Sequence, residues 1–331
     1  MIEIINCAKE LPDEWDQIAG EYFQQKQFLI HTEIYNPCGQ CYYILKEEDQ
    51  IVGGAVIYTL ALDILTYLKI KSPLKMRICG IPCSVSASGI LGKKGMDLLP
   101  AIFEKEKGMK LFLNLDELPE MNLAVGLTLP TIIVNIPFDS IQDYELSMRY
   151  EYRRRYKKAR AGFSKVNAVS SDCSVFGESE YRLYLEVLKR SSGKLETLSQ
   201  AFFTNLPSTF KLTRFYYGEK LLGWHITVLY EKTLYFFLGG IEYNLNNHYE
   251  TYFNMLYDII EQGIKNKVTK VDLGQTAEVP KLRTGGVIVK KYMVAQHSSP
   301  LLSGVLKLTK RLLEYRCKLP QNHVFKKGTK I

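Results

Sequence analysis

The sequence contains few of the residues that build metal centres. It has five histidines and seven cysteines, an odd number that is spread over the whole chain. Cys38 and Cys41 form one Cys-x-x-Cys pair, whereas Cys79 and Cys83 have three residues between them and lie far from the first pair. A structural zinc site usually has two matched pairs with flanking turns. We therefore expect no metal centre and interpret the cysteines as free or buried thiols.

The sequence also lacks a long apolar run and a secretory signal. The longest apolar stretch is interrupted by Asp63 and falls short of the roughly 20 apolar residues that span a bilayer. Glu3 and the polar residues from Lys9 to Asp16 interrupt any apolar signal core at the start of the chain. These absences predict a cytoplasmic protein with reduced thiols.

The positive charge is concentrated in two segments. The net charge is +8, but residues 149–165 contain eight basic residues and one acid, and residues 307–331 contain the same numbers. Together these segments carry +14, so the remaining residues carry about −6. Such local basicity indicates anionic partners at two places on the protein.

The length of 331 residues exceeds the usual size of a single hydrophobic core, so we predict two domains of α/β (α+β) class. We place them at 1–138 and 139–299, followed by a basic C-terminal helix and tail at 300–331. In the second domain, short polar turns separate three strands between Lys211 and Leu238, which predicts an antiparallel meander. Apolar residues then recur at spacings of three and four from Tyr249 to Gly263, and a strand follows at Val268–Leu273. We predict one sheet for these strands, with the helix packed on its face.

Polar groups follow two of these strands at the points where the strands end. We expect the first strand to stop at Gly239 and Gly240, and the second to run into a polar, glycine-containing turn. The polar residues that follow are Glu242, Tyr243 and Tyr249 after the first strand, and Gln275 and Lys281 after the second. Because functional groups collect at strand ends in α/β units, this set is the candidate site.

Four segments, taken in order, resemble the GNAT superfamily and within it the branch of Fem-type peptidyltransferases. They are the basic helix Tyr150–Ala159, the Leu222-Gly223-Trp224-His225 hairpin, the strand Phe236–Gly240 with Tyr249, and Val271-Asp272-Leu273-Gly274 with Lys281. The resemblance implies two GNAT-like domains, each a mostly antiparallel mixed sheet flanked by helices, the N-terminal one degenerate. It further implies acyl transfer onto an amine, from acyl-CoA or from aminoacyl-tRNA as co-substrate, with no tightly bound cofactor. The phosphate-binding signature of ordinary acetyltransferases is missing after Leu238, which leaves the donor open.

Aminolysis of an acyl donor needs a base, donors for the oxyanion and an acid for the leaving group. Glu242 is the best candidate base, and a solvated loop carboxylate is the alternative. The backbone N–H groups of Gly239 and Gly240 are candidates for the oxyanion, and Tyr249 or Tyr243 for the acid.

His225 lies mid-strand and is either a structural histidine or a second candidate base. Lys281 and Gln275, with Tyr243, are candidates for binding a substrate phosphate or carboxylate. Arg153, Arg154 and Arg155 either form a solvated helix face or bind the phosphates of coenzyme A or of a tRNA acceptor arm.

We therefore predict a cytoplasmic acyltransferase that forms an amide on an amine-bearing small molecule or a cell-wall precursor. The alternative is a catalytically inactive GNAT-like module that binds a cell-wall precursor, a peptide or nucleic acid. The C-terminal segment has leucines among its lysines, which fits either a helix on an anionic membrane or a domain-packing helix with one wet side.

Overall fold

A computed structural model describes residues 1–63, 73–83, 85–191, 196–316 and 318–329. The chain forms two compact units, Met1–Pro130 with Lys290–Cys317 and Thr131–Val289 with Lys318–Ile331. These boundaries differ from the predicted 1–138, 139–299 and 300–331. The physical reason is strand pairing. The strand Tyr292–His297 pairs with two strands of the first unit, so this part of the chain belongs to the first unit.

The first unit contains an eight-stranded sheet of order β1-β2-β3-β4-β6-β15-β7, with β5 beside β3. Its strands are β1 (Ile2–Ile5), β2 (Cys41–Glu47), β3 (Gln50–Asp63), β4 (Pro73–Cys79), β5 (Ile90–Leu91), β6 (Met109–Leu115), β7 (Ala124–Leu127) and β15 (Tyr292–His297). Its helices are α1 (Trp15–Ile18), α2 (Lys26–Tyr35), α3 (Leu99–Lys105) and α11 (Pro300–Leu313). The pair β4–β6 is parallel and the other pairings between these strands are antiparallel.

The loop after β4 is tied to the carboxyl end of β6. Asn114, with a left-handed backbone (φ 59°), donates its side-chain amide to the carbonyl of Val85 at 2.8 Å. Gln24 similarly donates to the carbonyl of Ser88. The described residues of this loop between Ile81 and Gly89 are all buried. The loop therefore lies where the parallel pair of this unit ends.

The second unit contains a seven-stranded sheet of order β14-β8-β13-β12-β11-β10-β9. Its strands are β8 (Thr131–Asn135), β9 (Asn167–Ser171), β10 (Phe210–Tyr217), β11 (Lys220–Tyr230), β12 (Thr233–Ile241), β13 (Lys270–Asp272) and β14 (Val287–Val289). Its helices are α4 (Ile141–Ser147), α5 (Tyr150–Gly162), α6 (Glu178–Arg190), α7 (Gln200–Thr204), α8 (Tyr243–Tyr249), α9 (Thr251–Lys265) and α10 (Glu278–Arg283). Both units are mostly antiparallel mixed sheets with flanking helices, so the predicted fold class is confirmed.

The predicted meander and its helix are confirmed. Strands β10 to β13 share one sheet, and α9 packs on β11, β12 and β13. The side chains that α9 buries against the sheet recur every three or four residues: Met255, Leu256, Ile259, Ile260 and Ile264. Burial of this stripe, rather than helix propensity alone, stabilises a helix of this length.

The predicted C-terminal helix and tail divide between the two units. Helix α11 packs on β7 and β15 of the first unit. Residues around Val324 and Phe325 are buried in the core of the second unit, where the backbone N–H of Arg149 donates to the carbonyl of Val324. The ring of Phe325 packs directly against Gly285, just after α10. Among the described residues, no helix is long and apolar enough to cross a membrane.

Candidate functional site at the open edge of the second sheet

The second sheet opens between its two parallel strands. β12 and β13 pair from Thr233 opposite Lys270 to Tyr235 opposite Asp272. β13 ends there, whereas β12 continues to Ile241. Over the last part of β12, the described chain places no strand on the β13 side. Where two parallel strands diverge in this way, the edge of the longer strand can meet a ligand.

The predicted stop of the strand at Gly239 and Gly240 is wrong. Both glycines lie inside β12, where they pair with His225 and Trp224 of β11. A Cβ atom at Gly240 would lie 2.5 Å from Nε1 of Trp224, and one at Gly239 would lie 2.9 Å from the Met255 methyl group. The glycines make room for neighbouring side chains, and the opening of the sheet begins earlier, after Tyr235.

The loop after β13 has an unusual backbone. Gly274, Thr276 and Ala277 all have positive φ angles of 70°, 60° and 47°. For the two residues that carry a Cβ this conformation costs on the order of 1 kcal/mol each. Asp272 holds the turn, because its Oδ1 accepts hydrogen bonds from Oγ1 of Thr131 and from the backbone N–H of Gly274.

Lys281 of α10 reaches back to this loop. Its side chain is only 2% exposed, and its Nζ donates to the carbonyls of Gln275 at 2.7 Å and Gly274 at 3.2 Å. Burial lowers the pKa of Lys281 from 10.5 to about 7, although the charges of Asp272 and Glu278 oppose this shift. The pKa of this amine therefore lies near neutral pH.

The contacts of Lys281 suit a neutral amine. Such an amine has two N–H donors and one lone pair, whereas the ammonium form has three donors and no acceptor. The two carbonyls take up the two N–H groups and leave the lone pair available. The ring of Phe236, the first residue of the open edge, lies 5.8 Å from Nζ. A lysine in this state can accept a proton from a reacting group near the edge of β12.

The sequence analysis missed Glu278, which lies near Lys281, and Tyr252, which lies near Glu278. Glu278 is in the same helix, and its charge reaches both Lys281 and the Tyr252 phenol. Burial raises the pKa of Tyr252, and the neighbouring Tyr243 and Glu278 raise it further. The spacing of three between Glu278 and Lys281 was a usable signal, because it places them on one helix face. Tyr252 had no signal beyond the core periodicity of α9.

Glu242, the predicted base, is engaged elsewhere. It is 8% exposed and directly precedes α8. Nη2 of Arg182 in α6 donates to its Oε2 at 3.3 Å. Glu242 would have to leave this ion pair in order to take a proton from a substrate.

His225 is fully buried between the sheet and α9. Its Nε2 lies 2.8 Å from Oδ2 of Asp258, which also accepts a hydrogen bond from Gln262. Burial tends to raise the pKa of Asp258, but the hydrogen bond and charge of His225, with Gln262, hold it below its ordinary value. Adjacent Trp224 instead donates to the carbonyl of Glu180 in α6, so α9 and α6 contact opposite faces of β11. His225 is thereby separated from Glu242, which pairs with α6.

The predicted tyrosines lie on α8. The ring of Tyr243 stacks under the Arg190 guanidinium, with Cζ 4.1 Å from its centroid. The ring of Tyr249 lies 5.2 Å from that of Tyr217 at the end of β10. Of the predicted residues, the structure therefore brings Lys281 and Gln275 together, while Glu242, His225 and Tyr249 each contact a different element.

The predicted arginines lie on the basic helix α5. Arg154 and Arg155 are exposed and Arg153 is half-buried. The ion pairs of α5 are Lys157–Glu145 and Arg160–Glu261. In the part of the chain that the structure describes, the three predicted arginines form no ion pair, and the Arg155 guanidinium lies 5.7 Å from the centroid of the Tyr152 ring.

A separate groove of about 540 Å³ runs along the exposed face of α6. Its lining residues include Tyr181, Arg182, Leu185 and Lys189, but not Glu242, Gln275 or Lys281.

Residues 147–281 match the family described as an acetyltransferase (GNAT) domain. Among solved structures, FemX is 10% identical and superposes with a TM-score of 0.53 over 88% of this chain and 96% of that chain. L-PGS from Bacillus licheniformis is 11% identical, with a TM-score of 0.54 over 94% of this chain and 98% of that chain. No curated protein matches the sequence significantly.

At these identities the two structures establish a shared fold, and the family match covers the segment from the end of α4 to Lys281. The resemblance predicted from the sequence is confirmed: residues 147–281 match the GNAT acetyltransferase domain, and the chain shares its fold with FemX.

Proposed function

We propose that the second unit transfers an acyl group to an amine and that Lys281 is the proton acceptor. The observation that carries the proposal is a lysine with a pKa of about 7, held by two backbone carbonyls beside the open edge of β12. A base with a pKa near the working pH is the most effective one.

In the proposed reaction the acceptor amine attacks the acyl carbonyl carbon. A C–N bond forms, and the proton lost by the amine passes to Nζ of Lys281. Backbone N–H groups along the open edge of β12 stabilise the oxyanion. The bond from the carbonyl carbon to the leaving thiol or hydroxyl then breaks, and the leaving group takes up the proton from Lys281. Glu242 and His225 support the sheet in this scheme and do not transfer protons.

Two features favour an acyl donor carried on tRNA over acyl-CoA. At the start of α9, the backbone N–H of Tyr252 is already bonded to Oδ1 of Asn246, and an acidic residue, Glu250, immediately precedes the helix. This helix end is therefore poorly suited to a pyrophosphate, which prefers free N–H groups. Arg153, Arg154 and Arg155 of α5, which form no ion pair with any described residue, suit a phosphodiester backbone. We propose an amine-bearing small molecule or cell-wall precursor as the acceptor.

The test compares wild type with Lys281→Met and Lys281→Arg, and uses Lys232→Met, which removes an exposed lysine of the same unit, as the matched control. Thiol release from acyl-CoAs and loss of label from aminoacyl-tRNA are measured with a panel of amine acceptors. Both Lys281 variants are expected to lower kcat by about 10²–10⁴-fold without a matching rise in KM for the donor. Full turnover in Lys281→Met would refute the role of Lys281. Donor binding without turnover in wild type would instead support an inactive binding module.

A further inference from the structure

Helix α11 exposes a stripe of large apolar side chains. Leu301, Val305 and Leu308 recur at spacings of four and three, so they lie on one face of the helix. They are 77%, 47% and 87% exposed. Leu306 instead packs into the core of the first unit, where α11 covers β7 and β15. The helix thus has apolar groups beyond those that its contact with the sheet requires.

The same helix carries charge of one sign. Residues 300–313 contain three basic residues and no acid. Lys310 is exposed and Lys307 is half-buried beside the apolar stripe. A surface that is both apolar and basic complements a partner that is both apolar and anionic, which describes the headgroup region of an anionic bilayer. Two copies of α11 packed on each other would bring like charges together, which disfavours self-association.

We infer that α11 docks the protein onto an anionic membrane surface. Leu301, Val305 and Leu308 enter the boundary between headgroups and acyl chains, while Lys307 and Lys310 lie against lipid phosphates. The contact is peripheral, because α11 lies along the surface and remains packed on its own sheet. This surface belongs to the first unit and is independent of the chemistry of Lys281.

Flotation with phosphatidylcholine vesicles, with and without phosphatidylglycerol, tests this contact on the full chain. Wild type is expected to bind the vesicles that contain phosphatidylglycerol, and less so at high salt. Leu301→Ser with Leu308→Ser should weaken this binding roughly tenfold or more, since two exposed leucines no longer enter the lipid. Lys307→Gln with Lys310→Gln should weaken it about fivefold per lysine. Leu185→Ser, an exposed leucine on α6 of the second unit, is the matched control and should bind like wild type.

Thermal unfolding of each variant verifies that it folds, and light scattering reports its oligomeric state. Absence of binding to phosphatidylglycerol vesicles would overturn the inference, as would equal binding by wild type and the leucine double variant. A dimer that the leucine substitutions abolish would overturn it as well, because α11 would then be covered by a second copy.

Discussion

Replacing Lys281 with methionine should change how the stability of the second unit depends on pH. Burial holds the pKa of Lys281 at about 7 in the folded protein, against an ordinary value of 10.5. Between these values the unfolded chain binds a proton that the folded protein does not, so the free energy of unfolding rises with pH across this window. Below this window Lys281 is protonated in both the folded and the unfolded state, and the cost of burying its charge lowers the free energy of unfolding in full. Above the window Lys281 is neutral in both states, and this cost is absent.

The size of the effect follows from the width of the window. One pKa unit corresponds to about 1.4 kcal/mol, and methionine binds no proton. Between about pH 7 and about pH 9, the free energy of unfolding of wild type should therefore gain about 2 kcal/mol relative to Lys281→Met. All other titrating groups are common to both proteins and cancel in the difference.

Urea unfolding followed by tryptophan fluorescence measures this difference. The chain has two tryptophans, Trp15 in the first unit and Trp224 in the second. In a Trp15→Phe background the remaining tryptophan reports unfolding of the second unit. Lys232→Met, an exposed lysine, should give a curve parallel to that of its parent. A constant difference between wild type and Lys281→Met would mean that Lys281 keeps its proton in the folded protein, which would refute its role as a base.

Three further changes test the packing and the charges of the second unit. Gly240→Ala should destabilise it by about 1–3 kcal/mol in urea unfolding, because the new Cβ meets the Trp224 indole. Gly162→Ala should not, because its Cβ would make only an ordinary contact, 3.9 Å from the His248 carbonyl oxygen, and equal effects would contradict the packing assignment. Phe325→Ala should lower the free energy of unfolding by about 3–5 kcal/mol, because it leaves a cavity beside Gly285. A wild-type unfolding curve for this variant would show that the C-terminal segment does not contribute to this core. Joint replacement of Arg153, Arg154 and Arg155 by alanine should leave unfolding nearly unchanged but weaken donor binding, with a steep salt dependence for tRNA and a shallow one for acyl-CoA. Unchanged affinity for both donors would show that the three arginines only form a solvated helix face.

Periodicity along the chain was sufficient to predict the local elements of the second unit. The spacing of apolar residues in α9 and the short turns between β10, β11 and β12 depend on neighbours within a few residues, and these elements form where predicted. The family resemblance came from the same local segments.

Contacts between distant residues decided the rest. Paired glycines look alike in sequence whether they end a strand or make room for a neighbouring side chain. The positions of the Trp224 indole and of Met255 show that Gly239 and Gly240 make room for these two side chains. A single lysine after a polar turn is ordinarily a surface residue. Lys281 is buried because α10 packs against β8 and the side chain turns back to the loop after β13. The state of Lys281 thus depends on desolvation, which is a property of the packed structure and not of any local sequence pattern.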